Sequence, residues 1–183
     1  MSAHRSYDKA GPQQELRFEN LVEIYYGPLY RFAMSLTRAE SDAQDLVQDT
    51  FLAWGTKGHQ LKDRSKVKAW LFTTLHRRFL ESQRRATRFP HLEVEQAEEE
   101  LPQVDPGLVN HLDGLAIVGI LGQVEPQFQA AVALFYLEDY SYNEIAEILG
   151  APLGTVKSRI ARGLAQLRVL VLGQAALPKE EPS

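Results

Sequence analysis

The side chains best suited to contact another molecule lie close together near the C-terminal end of the sequence. They carry hydroxyl or cationic groups, and they are Thr155, Lys157, Ser158, Arg159 and Arg162. Lysine and arginine can neutralise phosphates or read guanine edges, and threonine and serine can do either job more weakly. Residues of these types at this spacing predict a surface that binds nucleic acid.

Two short helices are predicted to hold this surface. Ser141 and Glu144 form an S-x-x-E capping box directly before an apolar run, and Gly150 stands where a helix end requires a positive φ. Thr155 is predicted to cap the next helix, whose apolar residues share one face: Val156, Ile160, Leu164 and Leu167. The pattern is typical of a helix-turn-helix, whose second helix enters the major groove of DNA. A solvated cationic face on an ordinary bundle remains the alternative, because the same geometry occurs in proteins that bind no DNA.

The net charge of −4 hides a segregation of charges along the chain. Residues 56–91 contain ten basic and two acidic side chains, and residues 150–172 contain four basic side chains and no acid. Residues 92–113, between them, contain seven acids and no base. The overall charge therefore does not argue against a nucleic-acid partner, because the basic residues are concentrated in two segments.

Helical periodicity is evident in the first half of the sequence. Apolar stripes over residues 18–25 and 29–36 are separated by Gly27 and Pro28, which predicts two helices or one kinked helix. Two more helices are predicted over residues 41–54 and 65–88. Their N-caps are predicted to be Ser41 and Ser65, respectively, so that the first half holds four helices if the proline separates two of them.

The second half begins with a loosely apolar segment, residues 113–121, and a helix that Pro126 opens. Residues 92–110 combine acids with two prolines and a glycine, a composition that cannot bury enough apolar surface to order itself. We therefore predict an all-α fold of two small helical domains, residues 12–91 and 111–173, joined by this acidic flexible linker.

The sequence offers little support for an enzyme, which is one alternative function. Its five histidines are scattered, no zinc-protease or phosphate-loop motif is present, and no nucleophile has an evident base partner. His111 and Asp113 could form a metal pair, but such a pair beside a linker is usually solvated surface. We expect no catalytic residue, no metal site and no cofactor.

The sequence also bears on the compartment of the protein. The absence of cysteine excludes disulfides and thiolate metal sites. No stretch approaches 18 consecutive apolar residues, and residues 1–11 lack the apolar core of a secretory signal. We expect a cytoplasmic protein with no membrane contact.

Three runs of the sequence resemble bacterial RNA polymerase sigma factors, in particular the extracytoplasmic-function (ECF) group of the sigma-70 family. Residues 142–168, YNEIAEILGAPLGTVKSRIARGLAQLR, resemble region four, which binds the minus-thirty-five promoter element. Residues 42–54, DAQDLVQDTFLAW, resemble the part of region two that docks on the beta-prime clamp. Residues 68–85, KAWLFTTLHRRFLESQRR, are similar to the helix that lines melted DNA at the minus-ten element. The three runs occur in the family's order.

The resemblance implies a role for each set of residues. The core-polymerase-binding residues would be Asp42, Asp45, Gln48 and Asp49, of which the three acids fall on one helix face. The residues that grip an extruded minus-ten base would be His59, Gln60, Lys62, Arg64 and Ser65. Those that track phosphates there would be Lys66, Lys68, Arg77, Arg78, Arg84 and Arg85. Trp70 could stack on a base, but its place in an apolar stripe favours a core position.

The implied function is that of a sigma factor, which binds core RNA polymerase at the beta-prime clamp and the beta flap, recognises both promoter elements and promotes strand opening. An anti-sigma factor is a further implied partner. The chain departs from the family's pattern at Leu61, where an aromatic residue followed by Arg-Gly is common, and at Gln129, where arginine is frequent. A helix-turn-helix regulator that binds duplex DNA as a dimer, without polymerase, remains the main alternative.

Overall fold

The computed structural model describes residues 17–86 and 114–175. In these ranges the chain forms seven α-helices: α1 (Phe18–Thr37), α2 (Glu40–Lys57), α3 (Val67–Ala86), α4 (Gly114–Leu121), α5 (Pro126–Glu138), α6 (Tyr142–Leu149) and α7 (Leu153–Ala175). Two 3-10 turns, Gly58–Gln60 and Arg64–Lys66, lie between α2 and α3. No strand occurs within the described ranges, and the predicted all-α fold class is confirmed. The predicted linker, residues 92–110, lies outside the described residues, as do residues 12–16, 87–91 and 111–113 of the predicted domains.

Helix α1 is continuous, although Pro28 lies inside it. The proline removes one backbone hydrogen bond, at a cost of about 3 kcal/mol. Leu21, Leu29 and Phe32 are fully buried on either side of it, and each such side chain stabilises the fold by about 1.5–3 kcal/mol. Packing of one face along the whole segment therefore outweighs the break, so the first half contains three α-helices rather than four.

Two predicted N-caps are wrong. Helix α2 begins before Ser41, because the first helical hydrogen bond runs from Ala43 N–H to Ala39 O at 3.0 Å. Helix α3 begins only after a 3-10 turn, which is capped by Asp63. The Asp63 Oδ1 atom accepts hydrogen bonds from the Ser65 backbone N–H at 3.0 Å and from its hydroxyl at 2.6 Å. Ser65 is thus a donor to the cap rather than the cap, because the carboxylate two residues earlier is the stronger acceptor.

One hydrophobic core extends through both halves of the described chain. Helix α1 packs against α2, α3, α4 and α5, while α6 packs against α3 and α7. The ring of Phe72 in α3 lies 5.4 Å from that of Phe32 in α1 and 5.6 Å from that of Tyr140, which precedes α6. The two helical groups are therefore in direct contact, an arrangement that the sequence did not predict.

Gln129, a departure from the family's pattern, has a structural role in α5. Its side chain is buried, and Nε2 donates to Gly122 O at 3.0 Å and to Val124 O at 2.7 Å. These carbonyls belong to the connection between α4 and α5. The amide therefore satisfies polar backbone atoms that would otherwise be buried without partners.

Gly163 permits close packing of α7 on α5, and its replacement tests this contact. An added Cβ would collide with Val132 Cγ2 and lie 3.0 Å from Phe128 Cβ. We expect Gly163→Ala to lower the free energy of unfolding by about 1–3 kcal/mol, since the core is overpacked. The control is Gly154→Ala in the same helix, where an added Cβ has no neighbour within 4 Å. Chemical denaturation measures both variants, and equal stability of the two would contradict the close contact.

Candidate nucleic-acid interface

The predicted helix-turn-helix is formed by α6 and α7. Ser141 N–H donates to Glu144 Oε2 at 2.8 Å, and Glu144 N–H donates to Ser141 Oγ at 3.3 Å, which completes the capping box. The hydrogen bonds from Ser141 lower the pKa of the Glu144 carboxyl. Gly150 ends α6 with φ 61°, and its N–H donates to the carbonyls of Ala146 and Glu147. The capping box and the glycine turn are confirmed.

Helix α7 begins three residues earlier than predicted. Val156 N–H donates to Pro152 O at 3.0 Å, so the first helical residue is Leu153. The prediction of Thr155 as N-cap is therefore wrong, and this residue lies half-buried in the first turn. The predicted inward stripe is confirmed, because all of its members are buried: Val156, Ile160, Leu164 and Leu167.

The cationic face of α7 is only partly open to solvent. Lys157 is exposed, whereas Ser158, Arg159 and Arg162 are half-buried. The Nε atom of Arg159 is buried and has no hydrogen-bond partner among the described residues. Burial also lowers the pKa of its guanidinium group. The residue expected to read DNA is thus partly covered in this arrangement.

The second predicted set lies on α3 and the loop before it. Most of its members are exposed: His59, Gln60, Lys62, Arg64, Ser65, Lys66, Arg77, Arg84 and Arg85. Lys68 and Arg78 are half-buried, and each pairs with a carboxylate. Arg78 Nη1 lies 3.7 Å from Asp49 Oδ2 of α2, and Lys68 Nζ lies 3.7 Å from Glu138 Oε2 of α5. Nine of the eleven members are therefore open to solvent, and the other two are paired with carboxylates.

A cleft of about 580 Å³ lies between this loop and α3. It is lined by Ala53, Lys57, Gln60, Leu61, Trp70, Thr74, Arg77, Arg78 and Glu81. Trp70 is half-buried and meets the ring of Trp54 edge-on, with 5.2 Å between the centroids. Trp70 therefore packs on the core with one side and lines the cleft with another. The cleft brings together Gln60, Arg77 and Arg78 of the predicted set, with Leu61 and Thr74 as additional lining residues that were not predicted.

The acidic stripe of α2 is exposed along its whole length. Asp42, Asp45 and Asp49 line a second cleft, of about 570 Å³, whose other wall includes Phe79 and Arg85 of α3. Gln48 is also exposed but does not line this cleft. The stripe thus forms an anionic surface beside the basic end of α3.

Glu138 lies at the contact between the two helical groups, and no role was predicted for it from the sequence. Its side chain is only 4% exposed, and its Oε1 atom lies 3.3 Å from Arg31 Nη2 of α1. Together with Lys68, these residues form an ion triad that joins α1, α3 and α5. The only sequence signal was an acid at the end of an apolar helix, which is more often a solvated residue.

Residues 17–86 and 114–175 contain neither a metal-binding cluster nor a membrane-spanning helix. No cluster of three or more histidine, aspartate or glutamate side chains there could hold a metal ion. None of the helices in those ranges is long and apolar enough to cross a membrane.

Comparison with protein families gives two matches. Residues 21–89 match the family model of Sigma-70 region 2, and residues 115–167 match that of Sigma-70, region 4. The first covers most of α1 and all of α2 and α3, and the second covers nearly all of α4, all of α5 and α6 and most of α7.

Individual proteins give the same result. The ECF RNA polymerase sigma factor SigE of Mycolicibacterium smegmatis is 33% identical over 167 residues, which are 88% of this chain and 65% of that protein. The ECF RNA polymerase sigma factor SigL of Mycobacterium tuberculosis is 33% identical over 152 residues, 81% of this chain and 85% of that protein.

Two solved structures are also similar. One is the sigma factor RpoE in complex with the anti-sigma factor NepR from Bartonella quintana, with a TM-score of 0.66, 27% identity and coverage of 85% of this chain and 96% of that chain. The other is CnrH in complex with the cytosolic domain of CnrY, with a TM-score of 0.59, 25% identity and coverage of 85% and 88%.

His76 makes the stability of the fold depend on pH. The side chain is buried in α3, and its pKa is lowered to about 4 by burial and by the charges of Arg159 and Arg77. The unfolded chain therefore binds more protons than the folded chain between the ordinary value of about 6.5 and pH 4. The contribution of His76 to the free energy of unfolding should thus be fully present above pH 6.5 and should be smaller by about 2 kcal/mol at pH 5.

The variant His76→Gln isolates this effect. Unfolding free energies measured at pH 7 and pH 5 should decrease more for the natural sequence than for the variant. Burial raises the pKa of the Glu138 carboxyl, and this contribution has the opposite sign but is common to both proteins. If the free energies of unfolding of the two proteins decrease equally between pH 7 and pH 5, His76 is not held neutral.

Proposed function

Because this chain belongs to the ECF group of the sigma-70 family of RNA polymerase sigma factors, we propose that it binds core RNA polymerase, recognises the minus-ten and minus-thirty-five elements and promotes strand opening. The family acts in transcription initiation and is not a family of enzymes. The observation that carries the proposal is the capped helix-turn-helix of α6 and α7 on one body with a second cationic helix, α3.

Helix α7 is proposed to enter the major groove at the minus-thirty-five element. Lys157 is exposed near its N-terminal end, and Thr155, Ser158, Arg159 and Arg162 lie within two turns of it. This is the end of a recognition helix that contacts base edges in helix-turn-helix proteins. Arginine would read guanine there, while the lysine would contact phosphate.

The minus-ten element is proposed to meet α3 and the loop before it. Holding an unpaired base requires cations along the backbone and a pocket or ring for the base. The cleft of about 580 Å³ falls within the roughly 300–1,000 Å³ typical of small-molecule sites, so it can hold one base. Trp70 and Leu61 provide apolar walls, Gln60 provides hydrogen bonds and Arg77 can contact phosphate.

The acidic stripe of α2, with Gln48, is proposed to bind the beta-prime clamp. Its carboxylates are exposed and would face basic residues of the partner, which speeds encounter and fixes register more than it adds affinity. Residues 12–91 would then form region two, residues 111–173 would form region four and contact the beta flap, and residues 92–110 would connect them.

An anti-sigma factor is proposed as a further partner. The two similar structures, RpoE and CnrH, are complexes with NepR and with the cytosolic domain of CnrY. The proposal places the protein in the cytoplasm, where it would meet core RNA polymerase.

Arg159→Ala tests the assignment of α7. The template is a promoter that run-off transcription with core polymerase selects from a genomic library. Transcription that depends on its minus-thirty-five element should decrease roughly tenfold, since a good bidentate base contact contributes about 1–3 kcal/mol. Core binding, measured by co-elution, should not change. The control is Arg168→Ala, an exposed cation farther along α7. Loss of core binding in the Arg159 variant would mean that the helix is misassigned.

Asp45→Lys tests the clamp assignment. Reversal of this charge should reduce affinity for core polymerase, with a slower association rate, because the electrostatic complementarity is lost. Surface plasmon resonance measures the rates, and circular dichroism checks the fold. Glu23→Lys makes the same charge change at an exposed acid of α1, outside the stripe. Unchanged assembly of the Asp45 variant would remove the clamp assignment.

A further inference from the structure

We infer that Trp54 and Gly58 are positioning residues for base capture, because their contact fixes the distance between the loop and α3 on either side of the minus-ten cleft. The minus-ten cleft is the one of about 580 Å³ between α3 and the loop before it. The inference deepens the proposed function and rests on its assignment of this cleft to an unpaired base. Neither Trp54 nor Gly58 lines the cleft, so each would act through its neighbours.

The loop wall of the cleft has few restraints of its own. Residues 58–66 contain two 3-10 turns, whose hydrogen-bond geometry is poorer than that of an α-helix. In the first turn, Leu61 N–H donates to Gly58 O at 3.0 Å. His59 and Gln60 are exposed, while Leu61 is half-buried and packs against the core. Contacts with the helices must therefore determine where this wall stands.

Gly58 is buried against the ring of Trp54. A Cβ atom added at Gly58 would lie 2.5–2.8 Å from three atoms of that ring, Cδ2, Cε2 and Cε3. The backbone of Gly58 has φ −60° and ψ −29°, values that any residue adopts. The ring, and not the backbone conformation, therefore requires glycine at this position. The first turn of the loop is seated directly on the indole.

The Trp54 ring also contacts Trp70 of α3. The two rings meet edge-on with 5.2 Å between their centroids, an arrangement that the charge distribution of aromatic rings favours. Trp54 is buried, whereas Trp70 is half-buried and lines the cleft. One indole thus contacts the loop through Gly58 and α3 through Trp70, so its size sets the separation of the two walls.

A fixed separation matters because a base is recognised by groups at defined distances. On the loop wall, Gln60 can both donate to and accept from a base edge, and on the opposite wall Trp70 presents an apolar ring. A hydrogen bond weakens steeply when its geometry is disturbed, whereas a long cation such as Arg77 can follow a phosphate that moves. Trp54 and Gly58 should therefore determine selectivity for the base more than they determine binding of the strand.

The variant Gly58→Ala tests the seating of the loop, and Gly55→Ala is its matched control. Gly55 is an exposed residue of α2, where an added Cβ has no neighbour within 4 Å. The chain contains two tryptophans, Trp54 and Trp70, so intrinsic fluorescence reports on this contact. The emission maximum of Gly58→Ala should shift to longer wavelength, because the displaced loop lets water reach the Trp54 ring. The maximum of Gly55→Ala should equal that of the natural chain, and an unshifted maximum in folded Gly58→Ala would overturn the seating.

The selectivity of initiation tests the role in base capture. Run-off transcription with core polymerase is measured on the selected promoter and on templates that carry each other base at each minus-ten position. At the position where the natural chain discriminates most, the ratio of transcription from the best base to that from the worst should fall roughly tenfold in Gly58→Ala. This is within the range that recognition of one base usually contributes. The corresponding ratio for the minus-thirty-five element should not change. Loss of stability alone would lower transcription from all templates equally and would leave both ratios as they are.

Trp54→Phe keeps the inference testable if Gly58→Ala does not fold by circular dichroism. Phenylalanine retains an aromatic ring in the core but is too short to contact both walls, so the minus-ten ratio should fall in this variant as well. If the folded variants keep the natural ratio, or if Gly55→Ala lowers it equally, the inference is overturned. Failure of the proposed function is a different result. The natural chain would then not initiate with core polymerase on any template, and the role in base capture would fail with it.

Discussion

The carboxylate of Glu138 is buried between two groups of helices, and a buried charge is stable only when cations and hydrogen bonds replace the lost water. Arg31 and Lys68 supply that charge from region two, so the end of α5 can dock on α1 and α3 in one register. This docking also places Tyr140 against Phe72 and brings α6 onto α3. The triad need not add much net stability, because an apolar set of similar volume could be as stable. It specifies which surfaces meet.

Ion pairs of the same kind engage several cations of the proposed minus-ten surface. Cations that would contact phosphate in an initiation complex are engaged by carboxylates or by burial in the chain alone. Arg159 of α7 is half-buried, and its charge helps to lower the pKa of the buried His76.

Much of the local structure could be predicted from the sequence, because it depends on neighbours within one or two turns. The capping box at Ser141, the αL turn at Gly150 and the buried stripe of α7 are of this kind. Three predicted caps, Ser41, Ser65 and Thr155, were wrong because a nearby backbone carbonyl or the carboxylate of Asp63 provides the first bond instead. Continuity of α1 through Pro28 depends on tertiary packing.

The contact between the halves and its triad could not be predicted, since it pairs residues up to 107 positions apart and no local pattern marks them. A direct test is possible because the chain has no cysteine. Spin labels at Gln44→Cys and Arg168→Cys, both exposed and in different halves, report the distance between α2 and α7. The contact between the two helical groups predicts a single narrow distance distribution for the free chain. A broad distribution would contradict this contact.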